Sequence, residues 1–201
     1  MVKLTDTCIN LCPDLLDYHD DSRVLLLYHR LPHFLTAMLR DEQRRAYARG
    51  MLDRANRDLD AAGKLASVDP RSLTDGRCAA YVWIGLMYPY LSPLERYPGR
   101  VRSLDAEVFF ARPRETLDSL SGFFGIGLTA AQINHQLSSG ILDRHAKDAD
   151  RVFDDADYES EVAATAARLG DEIQDAVDWA STITADDPIP GALPDPLTGS
   201  P

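Results

Sequence analysis

The stretch VRSLDAEVFFARPRETLDSLSGFFGIGLTAAQINHQLSSGILDRHAKD, residues 101–148, begins with the segment VRSL, which we predict to be a short β-strand. An acidic residue and a Phe pair follow, and Pro113 then begins an amphipathic helix that ends at Gly125. Thr129 caps a further helix that ends at Gly140, and a basic segment follows it. This order of signals predicts a strand, two helices and a basic loop.

The remainder of the chain adds one more strand and several helices. A continuous apolar run, RVLLLY at residues 23–28, is bounded by polar residues and predicts a buried parallel strand. Pro32 begins a helix, and an Arg-rich amphipathic helix is expected over residues 41–62. Residues 77–91 are apolar nearly all round, which predicts a deeply buried helix, and a long helix is expected over residues 158–182.

The length of 201 residues fits one domain, which we expect to span residues 1–183. Residues 184–201 contain five prolines, and this composition predicts a disordered tail. The chain has no run of 18 apolar residues, and its first residues carry acids where a signal peptide needs an apolar centre. We therefore expect a cytoplasmic protein without a membrane partner.

Charge and residue usage argue against several classes of partner. The formal net charge of −11 opposes binding to a nucleic-acid backbone, and the helix-turn segment at residues 128–142 lacks a basic DNA-reading face. Cys8 and Cys12 lack the further ligands of a zinc site, so we interpret them as buried apolar residues. The acids at residues 154–159 are better explained by helix capping than by a metal. We expect no nucleic-acid partner and no metal.

Several of these segments, in this order, resemble the sulfotransferases, a branch of the P-loop nucleotide-binding fold. The run RVLLLYHR resembles the strand of that family whose terminal Arg binds the 3'-phosphate of the donor, 3'-phosphoadenylyl sulfate. The resemblance implies that Arg30, with His29 beside it, contacts this cofactor-like donor, since a guanidinium fork suits phosphate oxygens. It also implies that the basic loop with Arg144, His145 and Lys147 contacts phosphate.

The first residues of the chain resemble a third motif of the family, a strand end that carries Lys-x-His. Lys3 stands at the position of the catalytic Lys, which meets the transferred sulfuryl group, but Thr5 replaces the His that acts as base. The Ser that partners the phosphate-binding Arg falls at Ala37 or Met38, and neither side chain can hydrogen-bond a phosphate. The family's Gly-rich loop, which cradles the 5'-phosphosulfate, has no counterpart in these residues.

The resemblance implies an α/β fold, a helix-rich partial P-loop (sulfotransferase-like) three-layer domain with a short parallel sheet. It implies that the full-length form transfers a sulfuryl group from 3'-phosphoadenylyl sulfate to the hydroxyl or amine of a small-molecule acceptor. Because of the departures, we expect this chain to be incomplete or inactive as an enzyme. The alternative is a non-enzymatic helical interaction or scaffold protein of the same ancestry. A sheet that lacks its first strand also keeps an open edge, which predicts self-association.

Overall fold

The computed structural model describes residues 6–65, 69–140, 144–145, 148–152 and 155–198. A 3-10 helix, Asp6–Leu11, leads directly into helix α1, Cys12–Tyr18. Strand β1, Val24–Tyr28, follows and confirms the strand predicted from RVLLLY. Three helices then connect β1 to the next strand: α2 Leu31–Leu39, α3 Glu42–Ala61 and α4 Asp75–Arg96.

The second half of the chain begins with strand β2. Its elements are β2 Val101–Asp105, α5 Ala106–Ala111, α6 Pro113–Phe124, α7 Ala130–Ser138, β3 Arg144–His145, β4 Asp148–Val152 and α8 Asp155–Ile183. Gly125 ends α6 with a φ of 65°, a left-handed conformation that favours glycine. Thr129 and Gln132 form a reciprocal capping box at the start of α7, as the sequence predicts for Thr129.

Strands β1 and β2 form a parallel pair whose register runs from Val24 opposite Val101 to Tyr28 opposite Asp105. A parallel pair needs a long crossover, and α2, α3 and α4 supply it here. The helix-rich α/β class with a short parallel sheet is thereby confirmed. Because the strands are parallel and in register, the residues that follow Tyr28 and Asp105 emerge at the same edge of the sheet.

Helices α2, α3, α4 and α8 pack on one another and form most of the core. Tyr81 of α4 is fully buried, donates a hydrogen bond from its hydroxyl to Oδ1 of Asn56 at 2.6 Å, and packs its ring near Trp179 of α8. Gly85 lets α4 approach α3 closely, because a Cβ at this position would lie 3.0 Å from the Cβ of Ala55. Among the described residues, no helix is long and apolar enough to cross a bilayer.

Part of the C-terminal segment that the sequence predicts to be a disordered tail lies against the sheet, through residues 193–197. Ser103 of β2 donates its amide to the carbonyl of Asp195 at 3.0 Å and accepts from the amide of Leu197 at 2.8 Å. Pro196 lies opposite Ser103, where an extended segment directs its own nitrogen away from the sheet, so the missing N–H removes no hydrogen bond. The side chain of Leu193 is buried. The proline-rich composition is therefore compatible with an edge segment.

The tail covers the outer edge of β2, whereas the outer edge of β1 is more open. The amide of Val24 donates to the carbonyl of Arg100, so the alternation of a parallel strand directs the amides of Leu25 and Leu27 outward. The hydroxyl of Tyr90 donates to the carbonyl of Leu27 at 3.4 Å, and the Leu27 side chain is 56% exposed. Self-association stays a prediction, and the edge of β1 is where we expect it.

Two buried cysteines allow a test of the core by chemical modification. Burial raises the pKa of the Cys12 and Cys78 thiols to about 11, so both remain protonated at pH 8. Because the thiolate is the reactive form, we expect iodoacetamide at pH 8 to label both residues at least tenfold more slowly in the folded chain than in urea. Peptide mapping by mass spectrometry measures each site separately, and rapid labelling of folded Cys78 would contradict the buried position of α4.

Candidate functional site at the carboxyl ends of the parallel strands

The carboxyl ends of β1 and β2 bring together charged and polar side chains. In open parallel sheets, ligands bind outside these strand ends, because the loops that follow them diverge and leave a crevice. His29 and Arg30 follow β1 directly, while Asp105 ends β2 and Glu107 lies in the first turn of α5. The register of the two strands therefore builds the site.

Arg30 and Asp105 form the closest ion pair of this site. The guanidinium donates from Nε to Oδ2 of Asp105 at 2.6 Å, and Oδ1 of the same carboxylate accepts from the amide of Glu107 at 3.1 Å, which caps α5. The Asp105 side chain is only 5% exposed, whereas that of Arg30 is 41% exposed. The carboxylate thus fixes the Nε side of Arg30 and leaves its two terminal nitrogens without a hydrogen-bond partner among the described residues.

The Glu107 carboxylate lies between two histidines beside this ion pair, without a hydrogen bond from Nδ1 of His29. Nδ1 of His29 lies 3.5 Å from Oε1 of Glu107, and Nε2 of His33 lies 3.9 Å from Oε2 of the same side chain. The indole of Trp83 donates from Nε1 to the His29 carbonyl at 2.8 Å, which holds the backbone of this residue in place. All three ionisable side chains are about half exposed, so they can meet a ligand from solvent.

Tyr28 closes the inner side of the site and connects it to the C-terminal segment. Its hydroxyl accepts a hydrogen bond from the Leu193 amide at 3.0 Å. Burial raises the pKa of Tyr28 above its ordinary value and nearby Asp105 raises it further, whereas the Leu193 amide and Arg30 lower it. Because the net direction is upward, this phenol remains neutral at physiological pH.

Helix α2 begins immediately after Arg30 and adds its N-terminal end to the site. Arg30 occupies the N-cap position, and its side chain makes no capping hydrogen bond to the helix. The first amides of a helix carry a partial positive charge, which favours an anion at this end. The helix dipole therefore acts in the same direction as the guanidinium, while Asp105 and Glu107 act against both.

His29 and Arg30, which the sequence places side by side after the strand, both lie at this site. Arg144 and His145 form strand β3, which pairs antiparallel with β4, so a strand pair is found where the sequence predicts a basic loop. The side chains of these two residues, and all of Lys3 and Lys147, lie outside the described part of the chain.

Other members of the site carry no motif that marks them in the sequence. His33 falls close to His29, across the start of α2, and this proximity is a signal that the sequence does offer. Glu107 and Trp83 are separated from them along the chain and join the site only through the β1–β2 register and the packing of α4.

A second concave region lies at the opposite end of the sheet. This depression of about 380 Å³ is lined by residues that include Asp20, Arg23 and Arg100. The Arg23 guanidinium donates to the Phe123 carbonyl, and the Arg100 guanidinium donates to backbone carbonyls that include that of Leu16 at 2.7 Å. Because both guanidinium groups serve backbone contacts, this region is a weaker candidate site despite its volume.

No protein-family model, curated protein or solved structure matches this chain. Within the described residues, no group of three or more His, Cys, Asp and Glu side chains is arranged to hold a metal ion. The observations that bear on function are therefore one guanidinium, two imidazoles, two carboxylates and a helix N-terminus at one edge of a parallel sheet.

Proposed function

We propose that this chain is a sulfotransferase-like protein that binds the phosphate end of 3'-phosphoadenylyl sulfate at the carboxyl ends of β1 and β2. The observation that carries the proposal is the position of Arg30, directly after parallel strand β1 and at the start of α2. A guanidinium beside helix amides offers convergent donors to phosphate oxygens. The proposal includes the finer fold assignment, a partial P-loop domain with three layers.

Each side chain of the site has a role in this proposal. Asp105 holds the guanidinium of Arg30 by its Nε, so that the terminal nitrogens are presented to the phosphate without further ordering. His29 and His33 contribute ring nitrogens to the remaining phosphate oxygens. Arg144, His145 and Lys147 supply further contacts to the nucleotide, as the resemblance implies.

The full-length form, in this proposal, transfers a sulfuryl group to a hydroxyl or amine of a small-molecule acceptor. The bond between sulfur and the bridging oxygen of the donor breaks, a bond from sulfur to the acceptor atom forms, and the acceptor loses its proton to a base. Lys3 would stabilise the charge that develops on the bridging oxygen. Thr5 cannot serve as that base near neutral pH, so we expect this chain to bind the nucleotide without transferring sulfate.

Binding of 3'-phosphoadenosine 5'-phosphate, measured by isothermal titration calorimetry, tests the proposal on the full chain. We expect Arg30→Ala to weaken binding by roughly ten- to a hundredfold, because it removes charge-assisted hydrogen bonds of about 1.5–3 kcal/mol. Arg71→Ala is the matched control, because this guanidinium is 94% exposed and lies on a short 3-10 helix in another part of the chain. We expect the control to bind the nucleotide as the unaltered chain does.

Two results would count against nucleotide binding at Arg30. One is equal affinity of the Arg30→Ala and Arg71→Ala variants, and the other is no binding of the unaltered chain at millimolar ligand. Thermal unfolding of each variant separates a lost contact from a lost fold, since Arg30 also neutralises the buried Asp105 carboxylate.

A non-enzymatic interaction or scaffold protein is the second candidate, and the Arg30–Asp105 pair is the observation that favours it. This pair ties the carboxyl ends of the two strands together, and Asp105 also caps α5, so both residues have a structural role without any ligand. On this alternative, Arg30→Ala lowers stability and the nucleotide does not bind at any pH.

A further inference from the structure

The charges at the site do not favour an anion when its histidines are neutral. Arg30 contributes one positive charge, while Asp105 and Glu107 contribute two negative charges, so the formal sum is −1. A negative site repels phosphate and sulfate groups. Protonation of His29 and His33 would change the sum to +1, and histidine is the side chain whose charge commonly changes between pH 5 and 8.

The orientation of the two rings makes their protonation state decisive for hydrogen bonding. His29 directs Nδ1 toward Glu107, which leaves Nε2 for a ligand, and His33 directs Nε2 toward Glu107, which leaves Nδ1. A neutral imidazole has one donor and one acceptor nitrogen. If the donor faces the Glu107 carboxylate, the free nitrogen presents a lone pair and repels an anionic oxygen. Only the protonated ring donates on both sides.

We propose that anion binding at this site is coupled to proton uptake, with His29 and His33 as the groups that accept the protons. Each imidazolium then bridges the Glu107 carboxylate and one oxygen of a bound phosphate or sulfate group. This inference rests on the proposed function, since the anion that it concerns is the phosphate end of the nucleotide. In this proposal, protonation of the two histidines raises the affinity of the site for the anion.

The other groups near the two rings are the Arg30–Asp105 ion pair, Tyr28 and Trp83. Asp105 from β2 is paired with Arg30 from the end of β1, so their charges offset each other. Tyr28 is kept neutral because its pKa is raised, and Trp83 from α4 uses its indole N–H on the His29 carbonyl. Glu107 therefore remains the one carboxylate at the site without a guanidinium partner among the described residues.

Inorganic sulfate is the suitable probe, because it does not itself take up a proton between pH 6 and pH 8. We expect sulfate to bind the full-length, isotope-labelled chain about tenfold more tightly at pH 6 than at pH 8, as followed by NMR shifts of the amides of Arg30 and His33. His33→Gln and Glu107→Gln should each reduce this pH dependence to about threefold or less. Glu107→Gln should also bind sulfate more tightly than the unaltered chain at pH 8, because one negative charge is lost.

His135→Gln is the matched control, since His135 is an exposed histidine in the last turn of α7. We expect it to retain the full pH dependence. Two results overturn the inference: equal sulfate affinity at pH 6 and pH 8, or an unchanged pH dependence in a His29→Gln, His33→Gln double variant. If the nucleotide still binds in that case, the proposed function stands without the inference. Failure of both sulfate and nucleotide to bind at any pH overturns the inference and the proposed function together.

Discussion

Replacement of Tyr81 by alanine is expected to lower the free energy of unfolding by about 3–5 kcal/mol. Tyr81 is fully buried at the centre of α4, between α3 and α8, so its loss leaves a large cavity in the main helical core. The hydroxyl also satisfies Oδ1 of Asn56, and the ring lies 6.4 Å from that of Trp179. Urea unfolding followed by circular dichroism measures the change.

Two control variants separate the contributions of Tyr81. Tyr81→Phe keeps the ring and removes one hydrogen bond, so we expect a loss of about 0.5–1.5 kcal/mol. Tyr18→Ala changes a side chain that is 87% exposed, and its effect should stay within about 0.5 kcal/mol. If Tyr81→Ala and Tyr18→Ala unfold at the same urea concentration, the packing of α4 against α3 and α8 is wrong.

Removal of residues 186–201 is expected to lower the free energy of unfolding by roughly 3–5 kcal/mol and to increase self-association through the exposed edge of β2. The truncation exposes the apolar surface that Leu193 covers and leaves the amide and carbonyl of Ser103 unpaired at the edge of β2. It also removes Asp187, whose carbonyl accepts from the Tyr88 hydroxyl at 2.5 Å. Urea unfolding measures the stability, and light scattering measures the association.

The matched control for this truncation removes only residues 199–201. This shorter deletion keeps the buried Leu193 and both hydrogen bonds of Ser103, so we expect unchanged stability and an unchanged molecular mass. A second variant, Leu193→Ala in the full chain, should cost about 2–4 kcal/mol without exposing the edge of β2, and should therefore self-associate no more than the unaltered chain. A longer truncation that stays stable and monomeric would contradict the docking of the tail.

The local elements of this fold could be predicted because their signals lie within a few residues of one another. Pro113 and Gly125 mark the two ends of α6 as observed, since proline is tolerated in the first turn and glycine adopts the left-handed cap. The apolar run that forms β1 was equally clear, because strands of parallel sheets often read as continuous apolar segments, whereas β2 has the mixed sequence VRSLD. Helix α4 continues beyond its predicted end at residue 91, through Pro93 to Arg96, because its surface is buried against α3 and α8.

The candidate site could be predicted only in part, at His29 and Arg30. The partner of Arg30, Asp105, lies 75 residues away, and the sequence contains no signal that joins their side chains. The contacts of residues 193–197 with the sheet could not be predicted for a related reason. The proline content of a segment indicates only which backbone hydrogen bonds it cannot make. Whether Leu193 is buried depends instead on the surface beside Ser103 and Tyr28, which other parts of the chain form.

The sequence by itself determined strands β1 and β2, the helix boundaries at Pro113, Gly125 and Thr129, and the presence of a guanidinium after β1. These features depend on local dihedral preferences and on hydrophobic periodicity, which neighbouring residues specify. Only the tertiary structure decided that Glu107 lies between two histidines and that the C-terminal segment closes the edge of β2. The first arrangement follows from the parallel register of β1 and β2, and the second from the contacts of the C-terminal segment with Ser103, and both unite residues whose separation in sequence carries no local signal.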